Sequence, residues 1–319
     1  MAFSSSNAMS FFDAISSGAG FWGEFFSHLG WIGVPVFVFL TGYGVSHSEF
    51  TENSEIIEYI RRNYLKLFAL LLPAVFFFGG IDFLKGNIWP DLFKRISYLT
   101  MMVNFAYPVL NCNPGVYWYF GLTFQFYLLW AFLGKRMNGK KMLMWSVILL
   151  LVLFCLSAYE FPVSLSIFRH CFTGWFPVFA IGVWMGKRKY NWFYSNYISI
   201  WKELLLFMAL FGLILLMSRW MVTWVFIPII ALAWFIVMEM LLMRTRYLSD
   251  VFRWIGEFSA CVFVCHPIAR YLELKFFAPH FSMLIVNVGI YAALTVVIVL
   301  MYNMYYQWVL GRLLNKRIK

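Results

Sequence analysis

The sequence predicts an all-α, polytopic membrane protein with about nine transmembrane helices. Three observations carry that prediction. Of 319 residues, 63% are hydrophobic and 12% are charged. Mean hydropathy is +0.76. Apolar runs of spanning length recur along the chain between breaks of charge, Gly, Pro or Asn. A soluble domain is nearer half apolar and a quarter charged, and one core of this size could not hide so much apolar surface. A cytosolic enzyme, a disordered tail and a secreted disulfide scaffold are excluded.

The elements follow in order. Residues 1–21 form a Ser/Gly-rich N-terminus read as extracytoplasmic, with Asp13 its charged side chain. It lacks the positive start and unbroken apolar stretch of a secretory signal. The first span, Trp22–Val45, therefore reads as permanent. The others are Tyr64–Ile81, Val116–Leu133, Met142–Tyr159, Ile167–Met185, Ile198–Met217, Trp220–Met243, Trp254–Tyr271 and Met283–Leu310. Leu99–Leu110 is short and interrupted by Asn104 and Pro108, and reads as interfacial or re-entrant. Residues 22–310 make one membrane domain, and 311–319 a basic cytoplasmic tail. No transporter-like internal repeat is visible.

The net charge is +11, from 25 Lys and Arg against 14 Asp and Glu. In a soluble protein this would raise nucleic acid as a partner. In a membrane protein it reads as loop charge that sets topology, with the bilayer as partner and no nucleic acid. Eighteen basic residues fall in the loops after odd-numbered spans and in the tail, and seven on the other side. Basic loops stay cytoplasmic, so the C-terminus is predicted inside and the N-terminus outside. The cysteines are Cys112, Cys155, Cys171, Cys261 and Cys265, with no CxxC pair. Cys265-His266 has no further ligand at a useful spacing, so neither a metal site nor a disulfide framework is read.

Trp and Tyr gather near span ends, at Tyr117–Tyr119, Tyr190/Trp192 and Trp220/Trp224, as an interfacial belt does. Gly182-x-x-x-Gly186 has the spacing of close helix packing. Ionisable residues at membrane depth are functional candidates because burying them is costly. They are Glu24, His28, Arg169, His170, Glu239, Glu257 and His266.

Four segments stand out. Gly30–Gly44 has small residues at both ends, an aromatic middle and Pro35, which would kink a helix interior. Glu58–Lys66 sets Arg62 and Lys66 four apart on one helix face, suited to phosphates or to anionic lipid. Trp118–Trp130 is rich in aromatic residues. Trp254–Ile268 places Ser259 and His266 seven apart on one face, continued by Arg270 and Glu273. A buried His can exchange a proton near neutral pH, or simply hydrogen-bond between helices.

In this order the segments resemble the acyltransferase 3 family of bacterial integral-membrane O-acyltransferases. Gly33-Val34-Pro35-Val36-Phe37 through Leu40-Thr41-Gly42-Tyr43 looks like its Gly-Val-x-x-Phe-Phe…Ser-Gly-Phe/Tyr helix. Arg61-Arg62-Asn63-x-x-Lys66, then Pro73, is similar to its Arg-x-x-Arg…Pro stretch, with Asn63 and Lys66 at the Arg positions. Trp118–Trp130 looks like Trp-Ser-Leu-Ser-Val-Glu-Glu-Gln-Phe-Tyr-Leu-Leu-Trp and matches at Trp118, Gln125, Phe126, Tyr127 and Trp130. Thr123 and Phe124 stand at its acidic positions, so no role resting on those acids carries over. Gly256-Glu-x-Ser259…His266-Pro267 resembles the late Gly-x-x-Ser…Tyr-Leu-x-His motif.

The likeness covers about residues 28–310. The family has ten core spans, and its first helix carries an Arg and, some turns on, a His that acts as base. This sequence reads as nine spans without that first helix. No Arg precedes Arg61, and His28 is the early histidine but does not match the motif.

The resemblance implies transfer of an acyl group, acetyl first, from cytoplasmic acyl-CoA to a hydroxyl of an extracytoplasmic glycan or glycolipid. The protein would sit in the bacterial inner membrane. Acyl-CoA is then a donor substrate and no cofactor is permanently bound. Arg61, Arg62 and Lys66 are the candidates for CoA, and Trp118 and Tyr119 for lining the site. Ser259, His266 and His28 are the candidate catalytic groups. With the family base unmatched, the chain is either competent through His28 or His266, or inactive as written. The alternative is a non-catalytic membrane protein, a lipid-linked glycan transporter or a degenerate partner subunit.

Overall fold

An apolar run with no water around it must close its own backbone hydrogen bonds, and here each run does so as helix. The structure is a computed structural model that describes residues 33–48, 50, 52–86, 88–105, 115–134, 136–159, 168, 170–188, 199–218, 221–281 and 284–315. There is no strand among the described residues. The helices are α1 (Val34–Val45), α2 (Asn53–Leu84), α3 (Ile88–Leu99), α4 (Trp118–Leu133), α5 (Gly139–Ala158), α6 (Phe172–Lys187), α7 (Ile200–Ser218), α8 (Ile227–Met243), α9 (Arg246–Glu257), α10 (Ser259–Leu272) and α11 (Leu284–Asn315). Short 3₁₀ turns precede α4 and α8, and a π-helical turn, Glu273–Phe277, closes α10.

Asn53–Leu84, Gly139–Ala158, Ile200–Met217, Val222–Met243 and Ile285–Arg312 are each long and apolar enough to cross a bilayer. Tyr247–Glu257 with Ser259–Phe277 makes a sixth if the bent pair is counted as one span. The helices α1 and α4 are apolar but shorter. The chain is a multi-pass helical membrane protein. Each predicted span overlaps one of these helices. Residues 22–32 of the first span, the N-terminus 1–21, Glu24, His28 and Arg169 lie outside the described residues.

Four expectations change. The span predicted from Trp254 to Tyr271 is broken at Phe258, with a 71° bend between its two parts. Glu257 ends α9 in an exposed position. Pro35 lies in the first turn of α1, where its missing N–H breaks no helical hydrogen bond. The last helix runs on to Asn315, so the tail begins as helix. Tyr117 and Trp224, read as belt residues, are instead core: both are buried, and their polar ends bond to Val264 O and Ser157 Oγ.

Packing divides the molecule into three apolar clusters. The first joins α1, α4 and α6 through Val38, Phe126, Trp130, Trp175, Phe179 and Val183. Phe126 and Phe179 stack at 4.3 Å. The second joins α2, α10 and α11 to the start of α4. The third packs α5, α7 and α8. Trp118 touches the first two clusters, so α4 is a wall shared between them.

The tightest crossing is α1 on α6. A Cβ on Gly182 would fall on the Phe39 carbonyl oxygen, and one on Gly42 on the Phe179 carbonyl oxygen. A Cβ on Gly186 would meet Ser46 Oγ. The Gly182/Gly186 spacing thus does what small-residue pairs do in membranes: it lets two backbones touch.

Candidate functional site

The α4 helix positions the centre because its faces meet different neighbours. Tyr119, Thr123 and Tyr127 recur every four residues and so form one stripe. The Tyr119 hydroxyl meets the hydroxyls of Thr123 and, from α1, Thr41. Both threonines also bond back to carbonyls one turn earlier, Thr123 to Tyr119 O at 2.9 Å and Thr41 to Phe37 O at 2.8 Å. Tyr127 lies between Tyr119 and Tyr59 of α2, and the Tyr59 and Tyr127 rings meet edge-on at 6.1 Å. Arg62 is the cation beside Tyr59. A seam of hydroxyls therefore runs from the basic end of α2 into the apolar interior.

The face of α4 toward α6 is also polar at depth. Gln125 Oε1 accepts the N–H of Phe172 at 2.9 Å, capping the first turn of α6. Asn104 Nδ2 donates to the carbonyl of His170, just before that turn. The His170 ring is buried and meets Trp118 edge-on at 5.3 Å. Trp175 lies 5.8 Å from Trp118 on another side. Three buried polar atoms here have no partner: Asn104 Oδ1, Gln125 Nε2 and Thr173 Oγ1. Buried polar atoms are normally satisfied, so a group that brings its own donor and acceptor fits this position.

The sequence candidates are distributed as follows. Trp118 and Tyr119 lie at the centre. His266 approaches it through one ring: Phe263 is 5.3 Å from Tyr119 and 5.8 Å from His266. The His266 imidazole leans back on carbonyls of its own helix, at Val262 and Phe263. Ser259 shares its face but sits two turns away, about 10 Å along the axis, so the two do not bond to each other. Arg270 and Glu273, further along, pair at 2.8 Å with Glu273 buried.

The three basic candidates separate. Arg61 is exposed and paired with Glu58 at 3.1 Å. Arg62 and Lys66 share the other face and stand close enough to repel. Asn63, between them, is buried and donates to Tyr59 O at 2.9 Å. Pairings of α2 with α4 run antiparallel, from Tyr59 with Tyr127, through Tyr64 with Phe124, to Phe78 with Tyr117. The level of Arg62 is thus about two turns of α4, roughly 9–13 Å, from Trp118. His28 lies outside the described residues.

Sequence reading missed Thr41, Asn104 and Gln125 as members of this centre. It saw His170 only as a deep ionisable residue. The available signal was the isolation of His170 and Asn104, polar side chains in apolar surroundings with no solvent to satisfy them.

A family model described as an acyltransferase domain matches residues 6–304. Searches of curated proteins and of solved structures returned no match.

Proposed function

The chain belongs to the acyltransferase 3 family, and from that premise we propose that it moves an acyl group, acetyl first, from cytoplasmic acyl-CoA to a hydroxyl of an extracytoplasmic glycan or glycolipid. The observation that carries this reading is the hydroxyl seam, Tyr59–Tyr127–Tyr119 with Thr41 and Thr123, between the Arg62/Lys66 face and the Trp118–His170 centre. A purely structural interior would be apolar here, since burying a hydroxyl without a partner is costly, and the Tyr59 hydroxyl is buried with none.

In this reading Arg62 and Lys66 hold the CoA phosphates as charge-assisted donors. Arg61, neutralised by Glu58, contributes less. The thioester arm lies along the seam toward Trp118 and Tyr119. A histidine takes the proton of the acceptor hydroxyl, whose oxygen attacks the thioester carbon. The C–S bond breaks and the CoA thiolate leaves with a proton. Hydroxyl and amide donors at the centre, Tyr119 and Gln125 among them, stabilise the oxyanion formed on the way. His170 and His266 are the described histidines nearest that position, with Ser259 as a polar group on the His266 helix. The family resemblance supports the bacterial inner membrane as the site of action, and the charge asymmetry supports an N-terminus outside and a C-terminus inside.

The test is turnover in nanodiscs, read as CoA thiol release from acetyl-CoA with a glycan acceptor. Arg62→Ala with Lys66→Ala should weaken acetyl-CoA binding at least tenfold. His170→Gln and His266→Gln should each be examined for loss of turnover with binding kept. A protein that neither binds nor cleaves acetyl-CoA in any membrane, while folded by its thermal transition, would refute the proposal.

A further inference from the structure

The 71° bend at Phe258 leaves α9 as a separate twelve-residue helix with an unusual surface. At 100° per residue its side chains sort cleanly. Leu248, Val251, Phe252 and Ile255, with Tyr247 and Trp254 along one edge, fill an arc of about 160°. Ser249, Asp250, Arg253, Gly256 and Glu257 fill the opposite arc, where Arg246 also falls by register. Most of the apolar arc is not covered by protein, Val251 being half-buried. Tyr247 is 75% exposed, Trp254 55%, Phe252 47% and Ile255 42%. The principal packing of α9 is against α8 and α10, its neighbours in the chain.

We infer that α9 is an in-plane membrane anchor, whose apolar arc is seated in the phospholipid headgroup–acyl boundary. Continuity identifies the occupant. The span Val222–Met243 ends two residues before α9, and α10 begins one residue after it. A helix tethered so closely at both ends cannot leave the bilayer surface. Bent away from the next span, it must lie along that surface. Its root is fixed as well: Arg244, at the end of α8, makes a two-pronged pair at 2.8 Å with the buried Glu203 of α7. Tyr247 and Trp254 border the apolar and polar arcs, where interfacial aromatics are favoured. Because α10 begins at Ser259, the seating of α9 sets the depth at which Ser259 and His266 are held.

Site-directed spin labelling of the full chain tests this in nanodiscs of phosphatidylcholine and phosphatidylglycerol. Nitroxides are placed singly at Leu248, Val251 and Ile255, and at Ser249, Asp250 and Arg253. The background replaces Cys112 and Cys155, and an unlabelled-site control corrects for the buried cysteines. Collision with oxygen reports lipid, and collision with a water-soluble nickel chelate reports solvent. The expected result is a periodic profile: oxygen dominates at 248, 251 and 255, and nickel at 249, 250 and 253. Low accessibility to both reagents at 248, 251 and 255 would mean that protein covers the arc, and would overturn the inference. Nickel access at those positions would overturn it equally. Leu248, Asp250, Arg253 and Ile255 are exposed and Ser249 and Val251 half-buried, and the periodicity across the six does not depend on any single variant folding.

Discussion

Replacing Gly182 with Ala adds one methyl group where α1 and α6 touch. That carbon would fall on the Phe39 carbonyl oxygen, 2.9 Å from the Tyr43 nitrogen and 3.1 Å from the Phe39 carbonyl carbon. All three neighbours are backbone, so no side chain can swing away. The helices must separate by about 1 Å, and a gap of that size forfeits a quarter to a half of each contact across it. Val38, Phe179 and Val183 line this crossing in fully packed positions. Overpacking typically costs about 1–3 kcal/mol and occasionally more, and with only backbone in the way the cost here is about 2–4 kcal/mol. Alanine returns about 1 kcal/mol in helix propensity over glycine. The net is a loss of about 1–3 kcal/mol. Gly212 of α7 is the matched control, because a Cβ there meets nothing within 4 Å. Gly212→Ala should gain up to about 1 kcal/mol. Thermal unfolding in one detergent, followed by near-UV circular dichroism, should move the two midpoints in opposite directions. If Gly182→Ala is as stable as the parent, or moves with Gly212→Ala, the two backbones are not in contact and the account of the α1–α6 crossing is wrong.

Other outcomes are open to the same assay. Arg244→Ala strands the buried Glu203 carboxylate and should cost about 3–5 kcal/mol, with Glu203→Gln added to it restoring part of the loss. Gln125→Met keeps the volume but removes the acceptor of the Phe172 N–H, and should cost about 1–3 kcal/mol. Tyr302→Phe removes the bond from α11 to Leu70 O of α2, 2.5 Å long, for a loss of about 1 kcal/mol, with faster amide exchange near Leu70 as a local readout.

The membrane class and nearly every helix were legible because both depend on local apolar density, which a sequence displays directly. The break at Phe258 was not. The strong apolar arc of α9 and the apolar start of α10 run together in a hydropathy reading, and only the helical period separates them. Trp118–Trp130 was visible as a motif, but its position between two clusters depends on contacts with residues far along the chain. Tyr117 was misread for the same reason: its hydroxyl is satisfied by Val264, 147 residues away, so an aromatic with a polar tip need not stand at the water boundary. Asn104 reads in the sequence as an interruption of an apolar run, and that same polarity lets it hold the carbonyl of His170. Arg61, Arg62 and Lys66 read as one basic group in sequence. Helical rotation and Glu58 divide them.

The length of α4 has a consequence for the bilayer around this protein. Its 16 residues span about 24 Å, whereas the hydrocarbon of a bilayer is about 30 Å thick. The 32-residue helices α2 and α11 beside it are about 48 Å long. By itself α4 therefore falls about 6 Å short of the hydrocarbon layer. A span this short either thins the bilayer around it or leaves its flanking backbone at hydrocarbon depth, where protein and not lipid must satisfy it.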